Sequence, residues 1–501
     1  MATTGLKIPQ FDLWLGGRFA PAAGGRYFES VNPSTGDVFA KVADASVDDM
    51  RQASVSAKKA FVSGGWPGLS VKDRGHVLLR IAQLVRDHAK ELADLECLDT
   101  GKTIKQTTFI DVPTCADTFE YFGKAGGLLK RVVNPVPAPV TSLTDREPVG
   151  VAACIIPWNY PLIMAAWKVA PALIAGNAVI LKPSSQASVS LMRLAQIIAD
   201  AGLPEGIFQM ISSARHEATA ELVASPDVAM VSFTGGTDTG REIMRLASGL
   251  PKKICLELGG KSASLVLEDC DFEAAVGGTL SSIFMNQGQM CTAMSRLLLQ
   301  DTIYDRFLDA LVKKARQLKV GPATDYQTDF GPLVSRSHRD KVLACVETGK
   351  AEGAKLLCGG RIPEMPPETA NGAYLEPAIF AGVKNAMAIA REEIFGPVLS
   401  VIKFSDVEEA VAAANDSRYG LAGCVWTKDP AKAERIASHL QCGTVWVNTY
   451  GGFYNEASFG GYKESGFGRE LGLEGLWEYT QSKHICVDNT PGGKSLVTSW
   501  F

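Results

Sequence analysis

The spacing of apolar positions changes near residue 148 and divides the chain into two kinds of pattern. Before that point, apolar side chains recur at three- and four-residue steps, which predicts helices over Val47–Ser63, Val71–Asp99 and Asp111–Lys130. Ahead of them, Phe11–Phe19 predicts a β-hairpin that turns at a Gly-Gly pair. After them, Arg131–Ser142 combines prolines with β-branched residues, which predicts an extended segment, either an inter-domain ribbon or an oligomer contact.

Beyond this point, short apolar runs rich in β-branched residues alternate with helical stretches. The runs Val149–Ile156, Ala178–Leu181, Gly206–Ile211 and Met230–Phe233 predict buried strands. Their alternation with helices predicts the α/β class, with a doubly wound, mostly parallel sheet. Such a sheet binds its ligand at the carboxyl ends of the strands. A second set of alternating strands and helices is expected from Lys253 onward.

Composition and charge narrow the class of protein further. The chain has 501 residues, of which 46% are hydrophobic and 21% charged, as in a globular protein of two or three domains. Its net charge of −4 lacks the basic excess typical of nucleic-acid binding. No apolar run reaches the roughly 18 residues that span a bilayer, and the first residues lack the apolar region of a secretory signal. We therefore expect neither nucleic acid nor a membrane as a partner.

The cysteines and histidines are scattered. The eleven cysteines include no Cys-x-x-Cys pair, which predicts reduced thiols in the cytoplasm. The six histidines show no metal-ligand spacing, so we expect no metal site and only structural or surface roles for them.

Cys291 is the candidate nucleophile. It follows the turn Gln287-Gly288-Gln289, where the glycine allows a sharp bend that can present one thiol in a cleft. A thiol reacts as its thiolate, so it requires a lowered pKa or a neighbouring base. The alternative is that Cys291 packs as a small hydrophobic residue.

Two polar residues in apolar surroundings are candidates to assist such a nucleophile. Glu257 lies within an apolar strand, where burial raises a carboxyl pKa and makes it a base near neutrality; the alternative is a salt bridge with Lys261. Asn159, in a Pro-flanked loop after a buried strand, offers an amide donor to a developing oxyanion; the alternative is that it satisfies its own turn.

A nucleotide site is indicated by two further segments. The glycine-rich turn Phe233–Gly240 between a strand and a helix offers backbone N–H groups to a pyrophosphate, although it matches neither the G-x-G-x-x-G fingerprint nor a P-loop. Lys182 ends a buried strand, where a ribose or phosphate lies in such folds. An ordinary tight turn and a surface lysine are the alternatives.

Seven motifs in this order resemble those of the aldehyde dehydrogenase superfamily over nearly the whole chain, from Trp14 to Val487. They are Pro157-Trp-Asn-Tyr-Pro161, Leu181-Lys-Pro-Ser184, Phe233-Thr-Gly-Gly-Thr237, Leu256-Glu-Leu-Gly-Gly-Lys-Ser262, Asn286-Gln-Gly-Gln-Met-Cys291, Glu392-Glu-Ile-Phe-Gly-Pro397 and Phe459-Gly-Gly-Tyr-Lys-Glu-Ser-Gly466. Within the superfamily, the betaine and aminoaldehyde branch and the phenylacetaldehyde branch are the most similar.

The resemblance implies oxidation of an aldehyde to a carboxylic acid through a thioester. Cys291 would attack the aldehyde carbon, and the Asn159 amide with the Cys291 backbone N–H would hold the oxyanion. Hydride would pass to a nicotinamide, and Glu257 would activate the water that hydrolyses the thioester. Glu470 matches a position associated with proton relay in the family. A CoA-acylating dehydrogenase and a non-catalytic structural protein on the same fold are the competing functions.

The resemblance also implies a cofactor site for NAD, and possibly NADP. Lys182 would bind the adenosine ribose and Glu393 the nicotinamide ribose. Phe395 would pack near the nicotinamide end and Trp158 near the pyrophosphate loop. Ser185 stands where the family often has the glutamate that repels a 2′-phosphate, so NADP tolerance is expected. Gly236 replaces a serine common in the phosphate turn. The full set is Ile156, Pro157, Trp158, Lys182, Ser184, Ser185, Gly235, Gly236, Leu258, Glu393 and Phe395.

The family's substrate tunnel corresponds to an aromatic, Met-rich set of residues. This wall suits either an aryl or apolar aldehyde, or, as a cation–π cage, an amino or quaternary ammonium aldehyde. The set is Thr114, Tyr160, Ile163, Met164, Trp167, Met285, Met290, Thr292, Phe453 and Phe459.

The domain organisation implied by the resemblance includes a small β oligomerisation element, so a homodimer or homotetramer is expected. The cofactor-binding domain is expected at residues 1–125 and 149–256 and the catalytic domain at 257–462. The oligomerisation ribbon is expected at 126–148, and the C-terminal return and its strand at 463–501.

Overall fold

The computed structural model describes residues 8–490, and its largest element is an eight-stranded sheet. Five strands at its centre are parallel, which confirms the predicted α/β class with a doubly wound parallel sheet. From one edge to the other the strands are Gly466–Phe467, Lys253–Glu257, Met230–Thr234, Val151–Ile155, Ala178–Lys182, Phe208–Met210, Leu13–Leu15 and Arg18–Ala20.

The order of the parallel strands creates a crevice at one point of the sheet. Val151–Ile155 comes first in the chain and lies between Ala178–Lys182, the second strand, and Met230–Thr234, the fourth. After Ile155 the chain continues toward one edge of the sheet, and after Thr234 it continues toward the other edge. The loops that follow these two neighbouring strands therefore diverge. Such a switch point is where open α/β sheets bind ligands.

A second, seven-stranded sheet carries the rest of the chain. All its neighbouring strands are parallel except the first pair. In spatial order they are Lys355–Cys358, Ala378–Ala381, Val398–Phe404, Arg296–Gln300, Ala263–Val266, Ala422–Trp426 and Thr444–Val447.

Three smaller sheets complete the strands. The extended segment predicted at Arg131–Ser142 lies in an antiparallel sheet of Val132–Asn134, Val140–Pro148 and Thr480–Asp488, which has the long C-terminal strand at one edge. The other two sheets are Gln10–Phe11 with Val38–Ala43 and Tyr27–Val31, and Tyr419–Gly420 with Tyr462–Lys463.

Helices cover both large sheets, and several begin at a side chain that accepts a hydrogen bond from the first turn, among them Ser46, Ser70, Asp271 and Asp406. The helices are Val47–Ser63, Val71–Asp87, Ala89–Thr100, Ile104–Gln106, Val112–Lys124, Pro161–Ile174, Val189–Asp200, His216–Ala224, Thr237–Ala247, Phe272–Phe284, Tyr304–Ala315, Arg336–Ala351, Ala388–Arg391, Val407–Asn415, Pro430–His439 and Gly472–Glu478, with a π-helical turn at Thr107–Asp111.

Three local predictions are wrong. The single helix expected over Val71–Asp99 is two helices, because His88 leaves helical geometry at φ −102° and ψ 19° although the apolar spacing continues across it. The helix expected over Asp111–Lys130 ends at Lys124 and continues as a short 3₁₀ turn. The glycine-rich turn expected to reach Gly240 ends at Gly236, where the helix Thr237–Ala247 begins.

The place where the chain passes from the first large sheet to the second is relevant to the expected division into cofactor-binding and catalytic domains. Lys253–Glu257 pairs with Met230–Thr234 in the first sheet, and Gly466–Phe467 pairs with it from the other side. Glu257 is therefore the last residue of its strand, and the chain enters the second sheet shortly afterwards, at Ala263–Val266. The division into cofactor-binding and catalytic domains itself stays a prediction.

Within residues 8–490, no helix has the length and hydropathy to cross a membrane.

Candidate active site

A cleft of about 600 Å³ opens at the carboxyl ends of the central strands, at the switch point of the first sheet. All eleven residues of the predicted cofactor set line it, from Ile156 to Phe395. Cys291, Asn159, Tyr160 and Met164 line it too. The cleft thus brings the predicted nucleotide residues and the candidate nucleophile into one space.

The turn before Cys291 is a constrained segment of backbone. Asn286, Gln287 and Gly288 have φ angles of 47°, 55° and 71°, three left-handed residues in succession. A side chain at Gly288 would lie 2.4 Å from the carbonyl oxygen of Gly396, so the close approach requires glycine. The buried Gln289 amide donates to the Asn286 carbonyl and accepts from the Val334 N–H at 2.9 Å, which holds the turn in place.

The Cys291 thiol is held in its protonated form. Burial, together with the negative charges of Glu393 and Glu257, raises its pKa to about 12. Of the two routes to a reactive thiol, the lowered pKa is therefore not the one seen here, and the two nearby carboxylates are the candidate bases. Cys291 is partly buried and packs against the edge of the core, and it also lines the cleft.

Asn159 is positioned by the same turn. Its side-chain NH₂ donates to the Gln289 backbone carbonyl oxygen at 2.9 Å, and its backbone carbonyl oxygen accepts from the Asn286 side chain at 3.1 Å. An amide NH₂ carries two hydrogens, so one remains for a second acceptor in the cleft. Asn159 does not merely satisfy its own turn, because its partners come from the cysteine loop.

Glu257 is buried with neither carboxylate oxygen hydrogen-bonded. Burial, and repulsion by Glu470, raise its pKa well above the ordinary value. The alternative of a salt bridge with Lys261 is wrong, because the Lys261 ammonium is likewise without a partner and burial lowers its pKa to about 7. Glu257 does not line the cofactor cleft but lies behind it, beside Gly460.

Glu470 lies behind Glu257 and forms a buried ion pair with Lys168. The ammonium of Lys168 also donates to the Ser232 hydroxyl at 3.1 Å, and the carboxylate raises the pKa of Lys168 against the effect of burial. The second carboxylate oxygen of Glu470 has no hydrogen bond. This arrangement forms a buried polar strip that leads away from Glu257.

Glu393 closes the cleft beside the cysteine. Its carboxylate accepts from the Gly260 N–H at 2.8 Å, and burial raises its pKa to about 7. Gly259 and Gly260 permit this packing, because a side chain on Gly259 would lie 2.3 Å from the Glu393 carboxylate and one on Gly260 would lie 2.3 Å from the Cys291 carbonyl oxygen.

Phe395 adopts a left-handed backbone conformation, with φ 56°. The His338 imidazole donates from Nε2 to the Phe395 carbonyl oxygen at 2.7 Å, and burial lowers the pKa of His338. The Trp158 ring lies edge-on to both rings, with centroids 5.2 Å apart. The assignment of His338 to a merely structural or surface class is therefore incomplete, because it also lines the cleft.

Lys182 marks the other end of the cleft, with Ser184 and Ser185 in the loop that follows. Burial lowers the pKa of its ammonium to about 8, and Asp44 acts in the opposite direction. A mostly buried cation at the end of a parallel strand suits the ribose or phosphate of a nucleotide.

Aromatic rings form a continuous wall next to the cysteine loop. Trp167, Phe453 and Phe459 lie with centroids 5.5–5.8 Å apart, and Trp446 and Tyr450 extend the cluster. The Tyr450 hydroxyl lies 3.3 Å from that of Thr292, next to Cys291, and 3.9 Å from the Met290 sulfur.

The remaining predicted substrate residues take different positions. Met285 lies at the start of the cysteine turn, and Ile163 is buried on the helix Pro161–Ile174. The Thr114 carbonyl accepts from Thr118, whose hydroxyl also meets Asn455 in the loop that carries Phe453. Tyr160 receives a hydrogen bond from Gln106, and the Lys102 ammonium covers one face of its ring at 4.3 Å.

Several lining residues escaped the sequence reasoning. They are Ser213, Ala214, Arg215, His216, Thr219, Ala220, Thr239, Glu242, Ile243, Leu246 and His338. Most follow the third and fourth parallel strands, so their place at the carboxyl edge of the predicted sheet was the available signal. His338 lies on the helix Arg336–Ala351, in the part of the chain that forms the second sheet, and no motif around it indicates a place in the cleft.

The described residues include no group of three His, Cys, Asp or Glu side chains able to hold a metal ion. All eleven cysteines are free thiols.

Comparison with known proteins agrees with these features. The model of the aldehyde dehydrogenase family matches residues 19–485. The chain is 43% identical to betaine aldehyde dehydrogenase of Bacillus subtilis over 493 residues, which cover 98% of this chain and 99% of the relative.

Solved structures are similar over the same length. Betaine aldehyde dehydrogenase from Staphylococcus aureus in complex with NAD⁺ has a TM-score of 0.93 at 38% identity, covering 99% of this chain and 97% of that one. An indole-3-acetaldehyde dehydrogenase with NAD⁺ has a TM-score of 0.93 at 41% identity, covering 97% of each. The family match and this identity over nearly the whole length establish that the chain is an oxidoreductase belonging to the aldehyde dehydrogenase family.

Proposed function

We propose that the protein oxidises an apolar or aromatic aldehyde to its carboxylic acid, with NAD⁺ and water, through a thioester on Cys291. The observation that carries the proposal is the meeting of three groups: a thiol at the nucleotide cleft, an amide donor tied to its loop, and a buried unpaired carboxylate behind it. The relatives with bound NAD⁺ support the choice of cofactor.

The first half-reaction makes a bond from sulfur to the aldehyde carbon. Glu257 accepts the thiol proton as the bond forms, which its raised pKa favours. The free Asn159 amide hydrogen and the Cys291 backbone N–H stabilise the resulting oxyanion. NAD⁺ bound in the cleft supplies the acceptor for the hydride that leaves the same carbon. A thioester remains on Cys291.

The second half-reaction hydrolyses that thioester. Glu257, again as a carboxylate, takes a proton from water, whose oxygen attacks the thioester carbon, and the acid and the free thiol are released. Glu257 is not among the cofactor-cleft residues and lies beside Gly460, so in this scheme it acts on water from outside the cofactor set. Lys168 and Glu470 offer a route for the released proton.

The cofactor set fits a dinucleotide along the cleft. We propose that Lys182 and the serines after it meet the adenosine ribose, Gly235 and Gly236 the pyrophosphate, and Glu393 the nicotinamide ribose. Gly236 is the N-cap residue of the helix Thr237–Ala247, and no side chain there accepts a hydrogen bond from the first turn. The N–H groups at this helix N-terminus are therefore open to a phosphate.

The aromatic wall favours a neutral substrate over a cationic one. Two of the three mutually packed rings, those of Phe453 and Phe459, are phenylalanines, which bind cations less strongly than tryptophan does. The ring of Tyr160 already has the Lys102 ammonium on one face. Large apolar surface beside the thiol suits an aryl or medium-length apolar aldehyde.

Comparison of kcat/KM for phenylacetaldehyde, hexanal, betaine aldehyde and 4-aminobutyraldehyde with NAD⁺ tests the substrate proposal. We expect phenylacetaldehyde or hexanal to be preferred by at least tenfold; preference for the two cationic aldehydes would refute it.

Product analysis with CoA present tests the hydrolytic step. We expect the free acid, because Glu257 supplies a base for water, whereas acyl-CoA would assign the protein to the acylating branch.

The small antiparallel sheet supports an oligomer. The strand Thr480–Asp488 forms one edge of this sheet, and the opposite strand exposes Val132 and Val133. Exposed apolar edge strands are sites of pairing between chains. We propose a homodimer, or a tetramer of two dimers. We also propose that each chain has the domain division expected from the sequence. The free thiols support a cytoplasmic location.

A further inference from the structure

Two loops of the site meet the start of the helix Arg336–Ala351. One is the turn before the nucleophile, where the buried Gln289 side chain accepts from the N–H of Val334, two residues ahead of the helix, at 2.9 Å. The other is the segment Glu392–Pro397, here called the nicotinamide loop because it carries the carboxylate proposed to bind the nicotinamide ribose. The start of one helix therefore contacts both the nucleophile's turn and the cofactor's loop.

His338 holds the nicotinamide loop from the first turn of this helix. Its Nε2 donates to the Phe395 carbonyl oxygen at 2.7 Å. Ser335, the N-cap residue, fixes that turn by accepting from the His338 N–H at 3.2 Å. The Trp158 ring lies edge-on to the His338 and Phe395 rings, with centroids 5.2 Å away from each. The imidazole is thus fixed by its helix and its ring neighbours, and its hydrogen bond ends on the backbone of the loop.

The backbone at Phe395 is in a conformation that needs support. Its φ of 56° is left-handed, which residues other than glycine adopt at a cost and keep only where their surroundings hold them. In the described part of the chain, the bond from His338 is the one hydrogen bond that the Phe395 backbone makes. Two residues earlier, Glu393 is held separately, by the Gly260 N–H at 2.8 Å. The imidazole is therefore the polar support of this conformation.

Gly396 places the nicotinamide loop against the turn that presents the thiol. A side chain at Gly396 would lie 2.6 Å from that of Val342, one turn beyond His338, so the loop backbone packs directly on the helix. The Gly396 carbonyl oxygen in turn lies 2.4 Å from the place of a side chain at Gly288. Because such contacts leave no free space, a displacement of the loop is transmitted to the turn before Cys291.

We propose that His338 is a positioning residue for hydride transfer, which holds the nicotinamide loop in register with the turn that presents Cys291. The inference rests on the proposed function, because it requires the nicotinamide to lie at Glu393 and the thiol to be the nucleophile. With the hydrogen bond in place, the loop keeps one arrangement, and the nicotinamide stays where a hydride can reach it from the bound aldehyde carbon. His338 makes no bond to the substrate in this scheme and acts through the backbone of Phe395.

The test replaces His338 by two residues of similar shape, of which one alone donates a hydrogen bond. His338→Gln keeps an N–H for the Phe395 carbonyl oxygen, whereas His338→Met does not. Single-turnover stopped flow, with the full-length protein in excess over its best aldehyde and NAD⁺ saturating, measures the rate of NADH formation. We expect His338→Met to lower this rate about tenfold and His338→Gln to remain within about threefold of the wild type.

Titration with NAD⁺ and thermal unfolding separate positioning from cofactor affinity and from folding. In His338→Met we expect the Kd for NAD⁺ to change by less than about threefold, because the adenosine half is proposed to bind at the Lys182 end. Equal rates in the two variants, or loss of folding in either, would assign the imidazole to packing and overturn the proposal. A weaker Kd with an unchanged rate of NADH formation would overturn it as well.

The matched control is His439→Met. The His439 ring also donates to a backbone carbonyl oxygen at 2.7 Å, that of Arg435, but it lies at the end of the helix Pro430–His439 and does not line the cleft. We expect the wild-type rate; a loss as large as that of His338→Met would show that the effect does not depend on the nicotinamide loop. Failure of the wild type to form NADH with any aldehyde would instead refute the proposed function.

Discussion

At the scale of single residues, the proposed chemistry depends on one thiol out of eleven. In Cys291→Ala we expect NADH formation to fall by at least about 10³-fold, because no atom remains to form the thioester. The variant is expected still to bind NAD⁺, and titration with NAD⁺ measures this binding.

Cys358→Ala provides the control for this loss, because Cys358 is also a half-buried free thiol but lies outside the cleft. We expect it to retain full activity. Turnover near the wild-type rate in Cys291→Ala would rule out the thioester scheme.

Glu257 is expected to limit the second half-reaction. In Glu257→Gln, steady-state turnover should fall by about 10²–10⁴-fold, while a burst of bound thioester and NADH still accumulates when the thiol is pre-ionised at high pH. Stopped-flow absorbance measures the burst. Hydrolysis at the wild-type rate would show that another group activates the water.

The pH dependence of the wild type follows from the same residue. Burial and Glu470 raise the pKa of Glu257, so its carboxylate form increases only as pH rises through that raised value. Turnover is therefore expected to rise with pH across the neutral range, and so is ionisation of Cys291, whose pKa is about 12. A rate independent of pH between about 6 and 9 would contradict a role for these groups as base and nucleophile.

The site residues were predictable from the sequence to different degrees. Cys291, Asn159 and Lys182 stand in motifs, and the structure gathers them in one cleft. Arg215 and His338 stand in no motif, because a long-range contact alone brings them there. The direction of the Cys291 pKa could not be predicted either, since it depends on the two carboxylates that the fold places nearby.

At the scale of elements, the turn Asn286–Gly288 positions the nucleophile. In Gly288→Ala, a methyl group would meet the Gly396 carbonyl at 2.4 Å in a left-handed conformation. We expect a loss of about 1–3 kcal/mol in the free energy of unfolding and a marked loss of activity, because Cys291 moves with the turn.

Gly277→Ala is the matched control for that substitution. Gly277 lies in the helix Phe272–Phe284 that leads into the turn, with open space around the position of a side chain. We expect it to be stabilising by up to about 1 kcal/mol, since alanine favours the helix. Thermal unfolding compares the two variants, and equal stability would show that the turn is not constrained.

The strands and helices themselves were largely predictable from apolar spacing. The strands of the first sheet differ from the predicted runs by only a few residues, as where Val149–Ile156 forms Val151–Ile155 and Met230–Phe233 forms Met230–Thr234. The break at His88 was not predictable, because helical residues surround it and no glycine or proline marks it. Pairing between Gly466–Phe467 and Lys253–Glu257 was beyond reach, since residues so distant in sequence leave no local pattern.

At the scale of the whole molecule, the small sheet is the expected contact between subunits. In Val133→Asp, a charge replaces an exposed apolar side chain on the strand Val132–Asn134. We expect a smaller assembly by light scattering, because an unpaired charge is costly in an apolar interface. Val62→Asp, which changes an equally exposed valine on the helix Val47–Ser63, serves as control, and an unchanged mass in both would argue against this contact.

The two large sheets explain why the site needs the whole chain. Asn159 and Lys182 come from the first sheet, whereas Cys291 and Glu393 come from loops of the second. Glu257 ends the strand Lys253–Glu257 of the first sheet, just before the chain enters the second. A fragment that contains one sheet alone would therefore lack either the thiol or the nucleotide loops.

The protonated state of Cys291 also bears on its resistance to oxidants. Hydrogen peroxide converts thiolates, not thiols, to sulfenic acid. With a pKa of about 12, very little of Cys291 is ionised at neutral pH. The burial that raises the pKa of the proposed nucleophile is therefore expected also to slow its oxidation by peroxide in the resting protein.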